Sequence, residues 1–283
     1  MPSAFIEADL SRASPRIERV ESFGDPRLAD YRALRERELR SVRRGARRFV
    51  AEGTLVVERL FSSRHRVRSV FLREDRLEPL APLLATLPEE TPVYCASTEV
   101  FTRTNGLNFH QGVLAVGEQR EPVDQDELLA RAKRVVVLVA AISHDNLGGV
   151  FRDVAALAGP EGAVLLDPRS ADPLYRKSIR VSMGWALHVP FARLDPFPAG
   201  LERLRERGFR LLALSPGERS RDLSDVACER HEKLALLLGT EGDGLDASTL
   251  EAADEVVRIP IAPGVDSLNM AVACGIALHA LRP

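Results

Sequence analysis

Ile259-Pro260-Ile261-Ala262-Pro263-Gly264-Val265-Asp266-Ser267-Leu268-Asn269-Met270-Ala271-Val272-Ala273 is the stretch that decides how this chain folds. An apolar strand breaks at proline, a loop follows, and a polar Ser-Leu-Asn start opens an apolar helix. Just upstream, Leu236-Leu237-Leu238 runs into Gly239-Thr240-Glu241-Gly242-Asp243-Gly244, a buried strand leading to a glycine-rich acidic loop. Two loops at strand ends, close in sequence and with backbone freed by glycine, point to a ligand pocket rather than a surface bend.

Working outward, apolar strand patterns alternate with helical ones. Strands are expected at 135–141, 163–167, 188–191, 209–214, 234–238 and 255–259, and helices at 147–157, 173–183, 201–206, 247–252 and 268–281. That alternation predicts an α/β domain with a parallel sheet covered on both faces, its ligand beyond the carboxyl ends of the strands. The polar, proline-containing stretch 118–125 marks a joint. The division is therefore residues 1–118, a linker at 119–127, and 128–283. The first part reads as a smaller α/β module. It has a basic helix starting near Asp25-Pro26, helices near 55–61 and 77–87, a helical turn at 98–102, and strands at 66–72, 93–95 and 111–116.

Composition narrows the function classes. Apolar residues make up 45% and charged residues 28% of the 283, enough to bury a core and too apolar for a disordered chain. No signal peptide is read at the N-terminus, and no apolar run reaches membrane-spanning length. Cys95, Cys228 and Cys274 are scattered, which fits free thiols in a reducing cytoplasm. Cys228 with His231 lacks a second half for a metal site, so no metal is expected. The net charge of −2 hides an asymmetry: residues 1–118 carry 19 basic and 17 acidic groups, and 119–283 carry 20 and 24. Arginine supplies all but three of the 39 basic residues, and its planar fork suits bidentate phosphate contacts.

A third segment follows the strand ending near Ala141: Asp145-Asn146-Leu147-Gly148-Gly149-Val150-Phe151-Arg152. Asn146 can cap the helix after it. Arg152 reads either as a snorkelling surface residue or as a cation at a pocket mouth. The Gly239–Gly244 loop is neither a Walker loop nor a dinucleotide fingerprint, and alone it is compatible with a structural turn. Ser267 alone is compatible with a helix cap.

Taken together, the three segments resemble the motifs of the SpoU (TrmH-type) branch of the SPOUT methyltransferases. Asn146-Leu147-Gly148 with Arg152 resembles motif one, Leu238 to Leu245 motif two, and Ile259-Pro260 through Ser267-Leu268-Asn269 to Ala273 motif three. Arg180-Val181-Ser182-Met183-Gly184 resembles the family's helix end between the motifs. Phe49 to Gly53 and His110 to Ala115 resemble its ribosomal-protein-like RNA-binding domain. The common Asp-Pro before motif one is replaced by Ser143-His144, and Thr240 stands where asparagine or alanine is frequent.

The resemblance implies a deep trefoil knot in the C-terminal part, S-adenosylmethionine as cofactor, and methyl transfer to a ribose 2′-hydroxyl of ribosomal or transfer RNA, with ribosomal RNA favoured. It implies cofactor contacts at Gly239, Thr240, Ile259, Ile261 and Leu268, and catalytic roles for Asn146, Arg152, Glu241, Ser267 and Asn269. It also implies a homodimer. Arg43, Arg44, Arg47 and Arg103 are candidate phosphate contacts, although a solvated charged helix face has the same look. A non-catalytic RNA-binding protein of the same fold is the main alternative, opposed by the presence of all five catalytic candidates. A nucleotide-dependent oxidoreductase is opposed by the missing dinucleotide fingerprint.

Overall fold

The computed structural model describes residues 16–32, 48–105, 111–217, 220–229, 231–240 and 242–282. They divide between two units, Met1–Arg120 and Glu121–Pro283, each built on its own sheet.

The first unit runs β1 (Ile17–Arg19), β2 (Arg48–Glu52), α1 (Thr54–Phe61), β3 (Arg66–Arg73), α2 (Leu77–Leu84), β4 (Val93–Ala96), α3 (Thr98–Asn105) and β5 (Val113–Glu118). The sheet order is β1-β4-β3-β5-β2, with β3 parallel to β4 and antiparallel to β5. Val70, Phe71 and Leu72 make β3 central, because a continuous apolar run can be buried on both faces. Phe71 packs its ring against Tyr31 and Phe101, and the Tyr31 hydroxyl is satisfied by Ser69 Oγ at 2.7 Å.

Two expectations for this unit change. The Asp25-Pro26 start gives only a 3₁₀ turn, Pro26–Tyr31, capped by Asp25, and Arg48, expected at the end of the basic helix, belongs to edge strand β2. Arg43, Arg44 and Arg47 lie outside the described residues. The segments 49–53 and 110–115 meet: Gly53 N donates to Val113 O at 3.1 Å, and Thr54 N donates to Gln111 Oε1 at 3.0 Å. Gly53 has φ +91°, a backbone that side-chain-bearing residues rarely adopt, so this junction favours glycine.

The second unit runs α4 (Gln125–Arg131), β6 (Arg134–Leu138), α5 (His144–Leu157), β7 (Gly162–Leu166), α6 (Arg176–Val181), β8 (Phe191–Arg193), α7 (Glu202–Glu206), β9 (Arg210–Leu214), β10 (Arg221–Asp222), α8 (Leu223–Val226), β11 (Leu234–Leu238), α9 (Ala247–Glu251), β12 (Glu255–Arg258) and α10 (Met270–Ala280). The expected linker is already helical from Gln125, because Asp124 accepts from the backbone N–H groups of Asp126 and Glu127. All strand pairs are parallel, in the order β10-β12-β9-β11-β6-β7-β8.

Successive strand residues feed opposite faces of this sheet. Val136, Leu138, Leu236 and Leu238 pack with Leu147, Phe151 and Val154 of α5 and Met270, Cys274 and Leu278 of α10. Val135, Val137, Ala235 and Leu237 pack with Leu128 and Leu129 of α4, Leu204 of α7 and Leu245. Two filled faces are what a parallel sheet needs. One strand moves: Trp185–Leu187 coils as a 3₁₀ turn and β8 begins only at Phe191. Strand β11 lies between β6 and β9, with Leu238 beside both Leu138 and Leu214. The segments leaving β6, β9 and β11 therefore start side by side at one edge, with the segment leaving β12 next to β9.

Candidate active site

At that edge the polypeptide turns from β6 into α5 through residues 139–143. Ser143 is the N-cap of α5, its Oγ accepting from Asn146 N at 3.4 Å, so Asn146 lies one turn inside the helix rather than capping it. This frees the Asn146 side chain for another partner. Two glycines follow for a packing reason. A Cβ at Gly148 would stand 2.8 Å from Ser178 O and 2.7 Å from Val181 Cβ on α6, and one at Gly149 would stand 2.5 Å from Ala271 Cβ on α10. Helix α5 is thus held closely on two sides, by α6 and by α10.

Helix α10 begins at Met270, and its N-cap is Asn269, not Ser267. Asn269 Oδ1 accepts from Ala271 N at 3.0 Å and Val272 N at 3.3 Å, while its Nδ2 donates to Asn146 Oδ1 at 2.7 Å. Two asparagines 123 residues apart are joined directly, one of them buried. Ser267 is exposed two residues before this cap, and Leu268 is half-buried.

Arg152 lies six residues beyond Asn146, about 9 Å along the helix axis. It is exposed on α5 and hydrogen-bonds to none of the other described residues, and its charge acts on the neighbouring Asp153. The nearby Asp145 carboxylate is engaged by Lys177 of α6. Asp153 is half-buried against Gly275 of α10, and burial pushes its carboxyl up to about 6 despite the neighbouring Arg152 charge.

The Gly239–Gly244 loop folds back on itself. Thr240 bridges Gly244, with Gly244 N donating to Thr240 O at 3.2 Å, and Gly242 and Gly244 adopt φ +96° and +69°. A Cβ at Gly239 would stand 2.3 Å from Gly244 C and 2.6 Å from Leu245 N, so only glycine lets the return strand pass this close. Asp246 then caps α9 through Thr249 N at 2.8 Å. Glu241 lies outside the described residues.

Beyond β12, Ile259 and Ile261 are partly buried. The loop from 259 to 268 makes one internal backbone hydrogen bond, Val265 N to Ala262 O at 3.2 Å, which leaves polar backbone groups at Ile261 and Leu268 open. Half-buried apolar side chains beside open backbone donors and acceptors suit a flat heteroaromatic ring whose edge is read by hydrogen bonds. Arg103 sits in the other unit, on α3, stacked 4.3 Å from the Phe23 ring centroid and paired with Glu99 at 3.2 Å. Cys228 is exposed and its Sγ lies 3.5 Å from Ser224 O, while His231 pairs with Glu229 at 3.5 Å.

Two features of the site were not singled out in the sequence. The Ser215-Pro216-Gly217 segment leaves β9 between the other loops, and a Pro-Gly pair after a strand is its sequence signal. Asp167, fully buried after β7, binds the backbone of the turn into α5 through Ala140 N at 3.0 Å, and carries no signal of its own.

Comparison with known proteins is consistent with this geometry. The model of the SpoU rRNA Methylase family matches residues 133–279. An uncharacterised tRNA/rRNA methyltransferase of Mycobacterium bovis is 41% identical over 257 residues, 90% of this chain and 88% of that protein. The Bacillus subtilis 23S rRNA (guanosine(2553)-2′-O)-methyltransferase RlmP is 27% identical over 94% of this chain and 100% of its own length. Among solved structures, an AdoMet-bound rRNA methyltransferase from Sinorhizobium meliloti superposes with a TM-score of 0.75 at 25% identity, covering 94% of this chain and 97% of that one. The chain belongs to the SpoU rRNA methylase family.

Proposed function

We propose that this protein is an S-adenosylmethionine-dependent RNA methyltransferase that modifies a ribose 2′-hydroxyl, with ribosomal RNA as its substrate. The observation that carries the reading is the Asn269–Asn146 hydrogen bond at 2.7 Å, which ties the helix after motif three to the first turn of the motif-one helix. Relatives named as 23S rRNA 2′-O-methyltransferases support both the reaction and the choice of RNA.

The cofactor fits the loops at the sheet edge. Gly239 and Thr240 on one side, and Ile259, Ile261 and Leu268 on the other, would hold it through apolar contact and open backbone groups. When bound, it supplies an electrophilic methyl group. The chain's own residues must then align the 2′-oxygen and exclude water. Asn146 and Asn269 orient the ribose. Arg152, exposed on α5, holds the adjacent phosphate and stabilises negative charge developing on the oxygen. Arg152 is assigned this positioning and charge-stabilising role whichever group takes the proton. Ser267 is exposed for contact with the sugar, and Glu241 is assigned to tying the knot loops to backbone donors.

A trefoil knot is part of this reading. Insertion of β11 between β6 and β9, with α10 returning onto α5, supports it. The Met1–Arg120 unit is the RNA-binding domain, with Arg43, Arg44, Arg47 and Arg103 on phosphates. A homodimer is supported by the apolar outer face of α10, where Val272 and Ile276 are 52% and 40% exposed. The cytoplasmic assignment rests on three free thiols.

The test is transfer of tritiated methyl groups from S-adenosylmethionine to RNA from cells lacking the gene. Incorporation into ribosomal RNA is expected. Cofactor binding without incorporation into any RNA pool would identify a non-catalytic RNA binder instead.

A further inference from the structure

Among the described residues of the second unit, Asp167 is the one carboxylate whose side chain is completely buried while both of its oxygens are engaged. Its Oδ1 accepts from Ala140 N at 3.0 Å, Ser170 N at 2.9 Å and Ser170 Oγ at 2.7 Å. Its Oδ2 accepts from Arg169 Nε at 2.8 Å. Burial alone would push the carboxyl up, but the bonds from Ser170, Arg169 and Ala140 N outweigh it and hold the group below the usual carboxylate range.

These bonds reach two loops of the proposed site. Ala140 lies in the turn from β6 to α5 with φ +52°, a left-handed backbone that strains a non-glycine residue. Asp167 holds that amide in place. Ser170 Oγ accepts from Ala141 N at 3.0 Å, and Ala171 N donates to Ala141 O at 3.0 Å. The clamp ends two residues before Ser143, the cap of the helix that carries Asn146 and Arg152. On the other side, Arg169 Nη2 lies 3.7 Å from Asp246 Oδ2, and Asp246 caps α9 at the exit of the glycine loop. The two arms are unequal, since the Ala140 arm is buried and the Arg169–Asp246 arm is partly exposed and screened. Arg193 braces the clamp from β8, its Nη1 donating to Asp167 O at 2.9 Å and Ser170 O at 2.6 Å.

We infer that Asp167 is a positioning residue for methyl transfer: it touches neither substrate nor cofactor, and it fixes the motif-one turn directly and the exit of the motif-two loop through Arg169. The activity half of this inference rests on the methyltransferase reading, whereas the mechanical half does not.

The experiment compares Asp167→Ala, Asp167→Asn and the double variant Asp167→Ala/Ala140→Gly, by backbone hydrogen exchange and by methyl-transfer kinetics. In Asp167→Ala, exchange should quicken about tenfold or more across 139–146 and 246–250 and stay unchanged in β9 and β11. The turnover number should fall about tenfold to a hundredfold, more than the KM for either substrate changes. Adding Ala140→Gly should recover most of the turnover, because glycine adopts the left-handed turn without the carboxylate. Asp167→Asn keeps an acceptor for Ala140 N and loses the Arg169 pair, so it should loosen 246–250 and spare 139–146. Unchanged exchange in both segments, or no recovery on adding Ala140→Gly, would overturn the inference. Quickened exchange with a wild-type protein that methylates no RNA would retain the clamp and reject the methyltransferase reading.

Discussion

Asn269 Nδ2 donates to Asn146 Oδ1 at 2.7 Å while the same Asn269 side chain caps α10. One residue therefore holds a helix end and a neighbouring helix at once. Serine at 269 can still cap but is too short to reach Asn146, whereas alanine can do neither. Asn269→Ser should cost about 1 kcal/mol by orphaning a buried amide oxygen, and Asn269→Ala about 1 kcal/mol more. Methyl transfer should fall to a similar extent in both, about tenfold or beyond, if the pair rather than the cap sets the site. Thermal unfolding beside single-turnover rates separates the two contributions.

Gly239 faces backbone, not a flexible side chain, with three backbone atoms of Gly244 and Leu245 within 2.6 Å of where a Cβ would stand. Gly239→Ala must open the loop, at a cost of about 1–3 kcal/mol. Calorimetric titration with S-adenosylmethionine should show affinity reduced about tenfold or more.

Arg152 offers a planar fork with no described partner to release first. Lysine keeps the charge and loses the bidentate geometry. Arg152→Lys should lower turnover about tenfold or more while cofactor affinity stays within about twofold. Near-normal turnover in this variant would leave only a point-charge role for the residue.

Asp153 gives a pH signature. Burial raises its carboxyl to about 6 in the folded chain, above its value in an unfolded one. Its contribution to stability is therefore present in full below the unfolded pKa and is lost as pH rises through about 6. Asp153→Asn should raise Tm by about 2–4 °C at pH 7.5 and by much less at pH 4.5. Scanning calorimetry of both proteins at the two pH values measures the difference directly.

The parts of the fold that were legible share a cause. Val135-Val136-Val137-Leu138 and Leu234 to Leu238 are buried on both faces, so their burial is written as continuous apolar runs. Edge strands β1 and β2 read Ile-Glu-Arg and Arg-Phe-Val-Ala-Glu, too short and too polar to declare themselves. The site residues were legible as a set, but their local roles were not. Ser143 and Asn146, like Ser267 and Asn269, are equally good caps by chemistry, and only the packing of α5 against α10 selects between them. Asp167 was invisible for another reason. Its partners include a distant backbone N–H, which every residue but proline has, so no complementary side chain announces the contact.

In the proposed reaction the joined asparagines and Arg152 direct a methyl group to a ribose oxygen. The most direct measurement is nucleoside mass spectrometry of ribosomal RNA treated with the purified protein and isotopically labelled S-adenosylmethionine. Label is expected in a single 2′-O-methylated nucleoside, greatly reduced with Arg152→Lys and with Asn269→Ser. Label on a base, or no label in any nucleoside while the cofactor binds, would contradict it.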